Sequence, residues 1–175
     1  MRLTHVTLAA ATLLLAGCAA MHGHGGGPSA RATLEPTRGN TASGRVMFHS
    51  TADGIFVHAR ISGLKPGQEH GFHIHEKGDC SSGDGMSTGG HFNPGGKPHG
   101  HHGQSERHAG DLPSLLADAQ GKADLKVRLQ GPTIGGGAAD IIGKGLIVHA
   151  MPDDYKTQPT GNAGARIACA VIAAR

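Results

Sequence analysis

Apolar and polar residues alternate in several short segments of this chain, which is the pattern of strands with one buried face. Between residues 55 and 61 the apolar side chains stand at every second position, and Val46 and Phe48 follow the same rule within residues 45–49. The turn sequence TADG lies between the two segments, at residues 51–54. These two segments are therefore predicted to form an antiparallel hairpin.

The same kind of pattern recurs toward the C-terminus, whereas strong helical periodicity is missing. Glycine, at 30 residues, separates the segments and indicates many turns. Many short strands separated by glycine-containing turns predict an all-β domain, either a sandwich or a flattened barrel. The further strand candidates are residues 71–75, 114–119, 123–129, 145–150 and 165–172.

Two long segments do not fit strands. Residues 78–110 are rich in glycine and histidine, and residues 151–164 are polar. Structureless loops of this length in a compact domain are usually functional or held in place by something. A bound metal ion or a disulfide could each hold these loops in a fixed conformation.

The N-terminus has the pattern of an export signal. Arg2 supplies the positive start, and the apolar run at residues 6–16 is too short to span a bilayer. The run ends in Leu15-Ala16-Gly17-Cys18, which resembles a bacterial lipoprotein signal, whose cysteine is acylated after cleavage. An ordinary signal with a coincidental cysteine is the alternative.

This interpretation divides the chain into three parts. We expect a lipoprotein signal peptide at residues 1–17, a flexible Gly/His-rich tether at residues 18–31 and a folded domain at residues 32–175. The protein is then expected in the periplasm or cell envelope, where the lipid on Cys18 is its only membrane contact. The other two cysteines, Cys80 and Cys169, are left in a compartment where a disulfide persists.

Charge and composition narrow the function. The formal net charge of +3 argues against a nucleic-acid binder, which would carry a basic stripe. Histidine is in excess, at 14 residues, and neutral imidazole is the commonest metal ligand. His73 and His75 lie two apart in a predicted strand, so both project to one face, and His149 ends another apolar run. The first long loop adds His91, His99, His101, His102, His108 and Asp111.

The chemistry of these side chains predicts one or two metal sites near a strand edge. His108 and Asp111 are three apart, close enough to share an ion, and imidazoles with a carboxylate suit zinc. An all-imidazole site with an open position suits copper, which cycles between two oxidation states. The spacing alone does not say which reaction follows.

Four motifs stand in order along the predicted domain: GFHIHE at 71–76 with GDC at 78–80, GHFNP at 90–94, RHAGDL at 107–112 and GNAGARIAC at 161–169. Together they resemble the copper-zinc superoxide dismutase family over about residues 33–172. The length of the segment at residues 80–91 and the sequence at residues 154–159 resemble the bacterial, exported branch of that family.

The resemblance implies a Greek-key barrel of about eight antiparallel strands with two functional loops, and one copper and one zinc ion per subunit. It implies an enzyme that converts superoxide to oxygen and hydrogen peroxide. His91 would bridge the two metals through a deprotonated ring. Copper is implied at His73, His75, His91 and His149, and zinc at His91, His99, His108 and Asp111.

Five further residues receive roles from the resemblance. Arg166 would hold the superoxide anion beside copper, with His91 as a proton source, and Asp153 would join ligands of the two metals through hydrogen bonds. Cys80 and Cys169 match the family's disulfide, and His70 matches a structural histidine.

Several alternatives stay open on sequence alone. His101 and His102 are rivals of His99 as zinc ligands, and metal binding by His22 and His24 is undecided. Monomer and homodimer are both compatible with the chain. A non-catalytic protein of the same fold that buffers copper and zinc in the periplasm is the alternative function.

Overall fold

The computed structural model describes residues 27–175, and within that range the chain forms ten β-strands. One turn of 3-10 helix, Met86–Thr88, is the only helix in the same range. None of the described residues belong to a helix long and apolar enough to cross a membrane. The strands are β1 Ser29–Pro36, β2 Ser43–Ser50, β3 Gly54–Ser62, β4 Glu69–His70, β5 Phe72–His75, β6 Leu115–Leu116, β7 Ala123–Gln130, β8 Gly145–His149, β9 Arg166–Val171 and β10 Ala173–Ala174.

The strands form a flattened antiparallel barrel with Greek-key connections, as predicted. Seven of them pair in the order β5-β8-β9-β1-β2-β3-β7, and β10 pairs with β1. Strand β1 joins the two halves, because residues 29–34 pair with β2 while residues 35–36 pair with β9. Strands β1, β2 and β3 are consecutive and β9 returns beside β1, which is the Greek-key order.

The alternation of apolar residues separates the core from the surface. In β3 every second side chain, from Ile55 to Ile61, is buried, and the intervening ones are partly or fully exposed. Strands β2 and β3 pair across the turn at residues 51–54, so the predicted hairpin is confirmed. The core is mostly aliphatic, with Phe48 and Phe72 among its largest fully buried side chains.

The structure corrects two predicted boundaries. The predicted tether, residues 18–31, is wrong at its C-terminal end, because β1 begins at Ser29 and pairs with β2 from that residue on. The buried residues of β1 include Ala30 and Ala32, whose small side chains give a weak alternation signal. Of the strand predicted at residues 114–119 only Leu115–Leu116 forms. Residues 1–26, with the signal peptide, Cys18, His22 and His24, lie outside the described range.

Two long connections position the candidate site. The first connection, residues 76–114, joins β5 to β6, and the second connection, residues 150–165, joins β8 to β9. The first folds back on the edge strand β5, where His91 bridges to His75 and Asp111 bridges to His73. A disulfide between Cys80 and Cys169 fastens it to β9, as the resemblance implied. The free edge of β5 is thereby covered by the loop that carries most of the candidate ligands.

Candidate metal centre

Four imidazoles converge where β5 and β8 pair, and we call them the imidazole set: His73, His75, His91 and His149. One ring nitrogen from each lies within 4.8 Å of the others, and all four side chains are buried. Their positions follow from the fold. His73 and His75 share a face because they stand two apart on β5, His149 ends the paired strand β8, and His91 arrives on the first connection.

Backbone carbonyls orient two rings of the imidazole set. His75 donates from Nδ1 to the carbonyl of Gly89 at 3.0 Å, and His149 donates from Nδ1 to the carbonyl of Gly164 at 3.1 Å. The lone pair of each ring therefore lies on Nε2, and these two nitrogens are 3.4 Å apart. Such outer partners fix the tautomer and orientation of a metal-binding imidazole.

Two nitrogens of the imidazole set have no hydrogen-bond partner although they are buried, Nδ1 of His73 and Nε2 of His91. An unpaired buried polar atom is unfavourable, by about 1–3 kcal/mol in protein mutational data. A cation at the centre of the set would satisfy both. Four neutral nitrogens around one point fit copper.

Burial keeps these imidazoles neutral, which a metal ligand requires. It lowers the pKa of His73 and of His91, the latter to about 4. Burial also lowers the pKa of His75 and His149 well below the usual value, and the nearby charge of Arg166 adds to this effect.

A second group of donors, the mixed set, consists of His91, His99, His108 and Asp111. Oδ1 of Asp111 lies 3.0 Å from Nδ1 of His91, 3.0 Å from Nδ1 of His99 and 3.3 Å from Nδ1 of His108. The Nδ1 atoms of His91 and His108 are 3.3 Å apart. A regular tetrahedron with zinc–nitrogen bonds of about 2.0–2.1 Å has edges of about 3.3–3.4 Å, so these donors fit zinc.

The carboxylate of Asp111 is fixed by the backbone. Its Oδ2 accepts hydrogen bonds from the backbone N–H of Gly100 at 3.1 Å and of His108 at 2.9 Å, which turns Oδ1 toward the three imidazoles. Burial alone would raise the pKa of Asp111, but hydrogen bonds from His108, His91 and His99 outweigh burial and hold the pKa well below its usual range. The group is a permanent anion in the mixed set.

Asp153 joins the two sets. It accepts hydrogen bonds from Nε2 of His73 at 2.7 Å and from Nε2 of His99 at 2.9 Å. Burial opposes ionisation of Asp153, but these two hydrogen bonds outweigh it and lower the pKa. Burial likewise lowers the pKa of His99, whereas its hydrogen bonds to Asp111 and Asp153 raise it, with a net value of about 9. His99 is therefore protonated and donates to a carboxylate on each side. A zinc ion in the mixed set would replace the proton on the nitrogen that faces Asp111.

Arg166 lies next to the imidazole set, because it pairs with His149 across β8 and β9. Its guanidinium donates to the carbonyls of Gly85 at 2.8 Å and Gly89 at 2.7 Å, and to Oγ1 of Thr88 at 2.8 Å. Thr88 is fully buried, and its hydroxyl in turn donates to the carbonyl of Gly85. The sequence reasoning missed Thr88, because a single threonine in a glycine-rich loop has no distinguishing pattern.

The remaining predicted histidines lie outside both sets. The ring centroids of His101 and His102 lie 4.0 Å apart, and the ring centroid of His101 lies 4.9 Å from that of Tyr155. Among the described residues the mixed set therefore contains His99 and neither rival. Buried His70 donates from Nδ1 to the carbonyl of His149 at 2.8 Å, so it contacts the backbone of a candidate ligand and not the metal position.

Replacing Gly161 by alanine is expected to weaken zinc binding by about 10–100-fold, the usual cost of losing an outer hydrogen-bond partner. The added Cβ would collide with Oδ1 of Asp153 and lie 2.6 Å from Nε2 of His99. Zinc affinity is measured by competition with a chromophoric chelator.

The control is Gly67→Ala, because Gly67 has a φ of 70°, close to the 64° of Gly161, but open space around its Cβ position. That variant incurs only the strain of the left-handed backbone, about 1–2 kcal/mol. Equal zinc affinities of the two variants would contradict the prediction.

Several known proteins resemble this chain in sequence and in fold. The family model described as copper/zinc superoxide dismutase matches residues 42–172. The chain is 40% identical over 147 residues to "Superoxide dismutase [Cu-Zn] 2" of Aquifex aeolicus (strain VF5), covering 82% of this chain and 85% of that protein. It is 41% identical over 127 residues to "Superoxide dismutase-like protein YojM" of Bacillus subtilis (strain 168), covering 70% of this chain and 65% of the relative. The crystal structure of the clock protein EA4 superimposes with a TM-score of 0.77 at 39% identity, covering 87% of this chain and 98% of the other.

Proposed function

The chain belongs to the copper/zinc superoxide dismutase family, and we propose that it is an active enzyme that converts superoxide to oxygen and hydrogen peroxide. Two superoxide ions and two protons give one molecule of each product. The observation that carries the proposal is that both donor sets are complete and share His91, with Arg166 beside the imidazole set.

We assign one copper ion to the imidazole set and one zinc ion to the mixed set. When bound, copper supplies the one-electron redox chemistry, whereas zinc has none and contributes positive charge. The protein holds both groups of ligands in place. Carbonyls of the two connections orient His75 and His149, and Asp153 orients His73 and His99.

Arg166 is proposed to bind the anionic substrate. The three hydrogen bonds to the first connection hold its guanidinium rigidly, so little side-chain entropy is lost when an anion binds. A charge-assisted hydrogen bond from the guanidinium would keep superoxide beside the imidazole set.

His91 is proposed to carry a proton during turnover. Its Nδ1 faces Asp111 and the mixed set, and its Nε2 is the unpartnered atom that faces the imidazole set. In the proposal Nδ1 stays in the mixed set while Nε2 gains a proton and then releases it to the nascent peroxide.

A metal-buffering protein of the same fold is the competing function, and Arg166→Lys separates the two. Storage needs no substrate-binding arginine. We compare superoxide consumption by the wild-type protein and the variant, each loaded with copper and zinc to the same measured content, with that of the same amount of copper chelated by EDTA. The wild type is expected to exceed the chelated copper. The variant is expected to be about 10–100-fold slower, since hydrogen bonds to charged groups contribute about 1.5–3 kcal/mol.

Each outcome of that comparison is decisive. A wild-type rate no higher than that of copper chelated by EDTA would favour the buffering protein. Equal rates for the wild type and Arg166→Lys would remove Arg166 from the proposed substrate site.

We further propose export and lipid anchoring through Cys18, on the support of the sequence Leu15-Ala16-Gly17-Cys18. The variant Cys18→Ser, expressed as the full chain in a bacterium, is expected to move from the membrane fraction to the soluble fraction. Cys80 and Cys169 are unchanged in this variant, so the fold is preserved. Persistence of the variant in the membrane fraction would contradict lipid attachment at this residue.

A further inference from the structure

One side chain of the second connection holds the backbone of a candidate zinc ligand. Oε1 of Gln158 accepts a hydrogen bond from the backbone N–H of His99 at 2.7 Å, and Nε2 of Gln158 donates to the backbone carbonyl of His99 at 2.9 Å. The two residues are 59 positions apart in the chain. The amide thus pairs with His99 much as a neighbouring strand would.

The ring of His99 is held by the same connection. Asp153 accepts a hydrogen bond from Nε2 of His99 at 2.9 Å, while Nδ1 faces Asp111 in the mixed set. His99 is therefore held at its backbone by Gln158 and at its ring by Asp153. The backbones of His91 and Asp111, in contrast, bridge to strand β5.

Gln158 lies in a turn that is stabilised by hydrogen bonds among the residues of the turn itself. Oδ1 of Asp154 accepts hydrogen bonds from the N–H of Lys156 at 2.9 Å and of Thr157 at 2.8 Å. The N–H of Gly161 donates to the carbonyl of Thr157 at 2.7 Å, which closes the turn after Gln158. Gln158 itself is exposed, so its replacement leaves no cavity in the core.

We propose that Gln158 is a positioning residue for the zinc site, through which the second connection fixes His99 and sets the affinity of the mixed set for its ion. The proposal rests on the assignment of zinc to the mixed set. A hydrogen-bonding partner outside the ligands typically contributes about 10–100-fold to metal affinity. Gln158 differs from the usual case because it acts on the ligand's backbone rather than on its ring.

The test measures zinc binding by copper-free protein, with Zn²⁺ in competition with a chromophoric chelator. Gln158→Ala is expected to bind zinc about 10–100-fold more weakly than the wild type. Gln158→Glu keeps an acceptor for the N–H of His99 but places a carboxylate oxygen against its carbonyl, so its affinity is expected to lie in between. The matched control is Gln120→Ala, an exposed glutamine whose hydrogen bond to Asp118 is made by its backbone N–H.

A second readout needs no metal. In the metal-free protein the N–H of His99 is expected to exchange with solvent faster in Gln158→Ala than in the wild type, because its acceptor is gone. The free energy of unfolding of the metal-free variant is expected to stay within about 0.5 kcal/mol of the wild type, as for other surface substitutions.

Three results would overturn the proposal. They are equal zinc affinities of Gln158→Ala and Gln120→Ala, unchanged exchange of the His99 N–H, and a loss of affinity that merely accompanies unfolding of the metal-free domain. None of these measurements involves turnover. A fully loaded wild type that fails to consume superoxide would therefore contradict the proposed enzyme and leave the role of Gln158 intact.

Discussion

Replacing His149 by alanine is expected to reduce superoxide consumption to a small fraction of the wild-type rate, measured with EDTA present so that unbound copper does not contribute. The variant leaves three imidazoles in the imidazole set, and it removes the ring that the carbonyl of Gly164 orients. The backbone pairing of residue 149 with Arg166 is left in place. Loss of a direct ligand is expected to exceed the roughly 10–100-fold effect of losing an outer partner. The zinc content is expected to remain, because His149 is not in the mixed set.

The measurement compares rates after loading with copper and zinc, with the content of each metal determined in the same samples. The matched control is His49→Ala, because His49 is an exposed histidine on β2, which pairs in the sheet away from β5 and β8. This control is expected to keep the wild-type rate and metal content. If His149→Ala also keeps them, the imidazole set is not the reaction centre.

Sequence patterns predict those strands and turns that are determined by residues close together in the chain. Alternation of Ile, Val and Phe with polar residues identifies β2 and β3, and the turn between them identifies the hairpin. The same rule does not identify the start of strand β1, because Ala30 and Ala32 are buried yet too small to give a clear apolar signal. The pairing of β1 with β2 and β9 stabilises it, and that information is spread over distant parts of the chain.

The site shows the same division between local and distant causes. The spacing of His73 and His75 predicts a shared face, because two residues on one strand are enough to define it. The arrival of His149 beside them depends on the pairing of β5 with β8, and only the family resemblance implied it. Thr88 and Gln158 act through contacts with Arg166 and His99 that lie 78 and 59 positions away, so no periodicity or spacing identifies them.

The two donor sets behave as one structure because three features connect them. His91 contributes one nitrogen to each set, and Asp153 binds one ring of each. The first connection carries His91 and also supplies the carbonyls that hold Arg166. The attachment of the first connection to the barrel is therefore expected to affect both the stability of the fold and the binding of substrate. The disulfide is the covalent part of that attachment.

Removal of the disulfide, by Cys80→Ala with Cys169→Ala, is expected to lower the free energy of unfolding of the metal-free protein by about 4–5 kcal/mol. The bridge spans 89 positions, so without it the unfolded chain gains the freedom of a long open loop. Cys169 lies in the core-facing strand β9, where alanine fits without overpacking. The measurement is denaturant unfolding without reductant.

Reductant supplies the control for this effect. The wild-type protein in excess dithiothreitol is expected to unfold at the midpoint of the double variant, whereas the double variant is expected to be indifferent to the reductant. The metal-loaded double variant is also expected to consume superoxide more slowly at equal copper content. The reason is that the carbonyls of Gly85 and Gly89, released from their covalent anchor on β9, would no longer hold Arg166 in one orientation. A double variant as stable as the oxidised wild type would show that the hydrogen bonds of the first connection alone fasten it to the barrel.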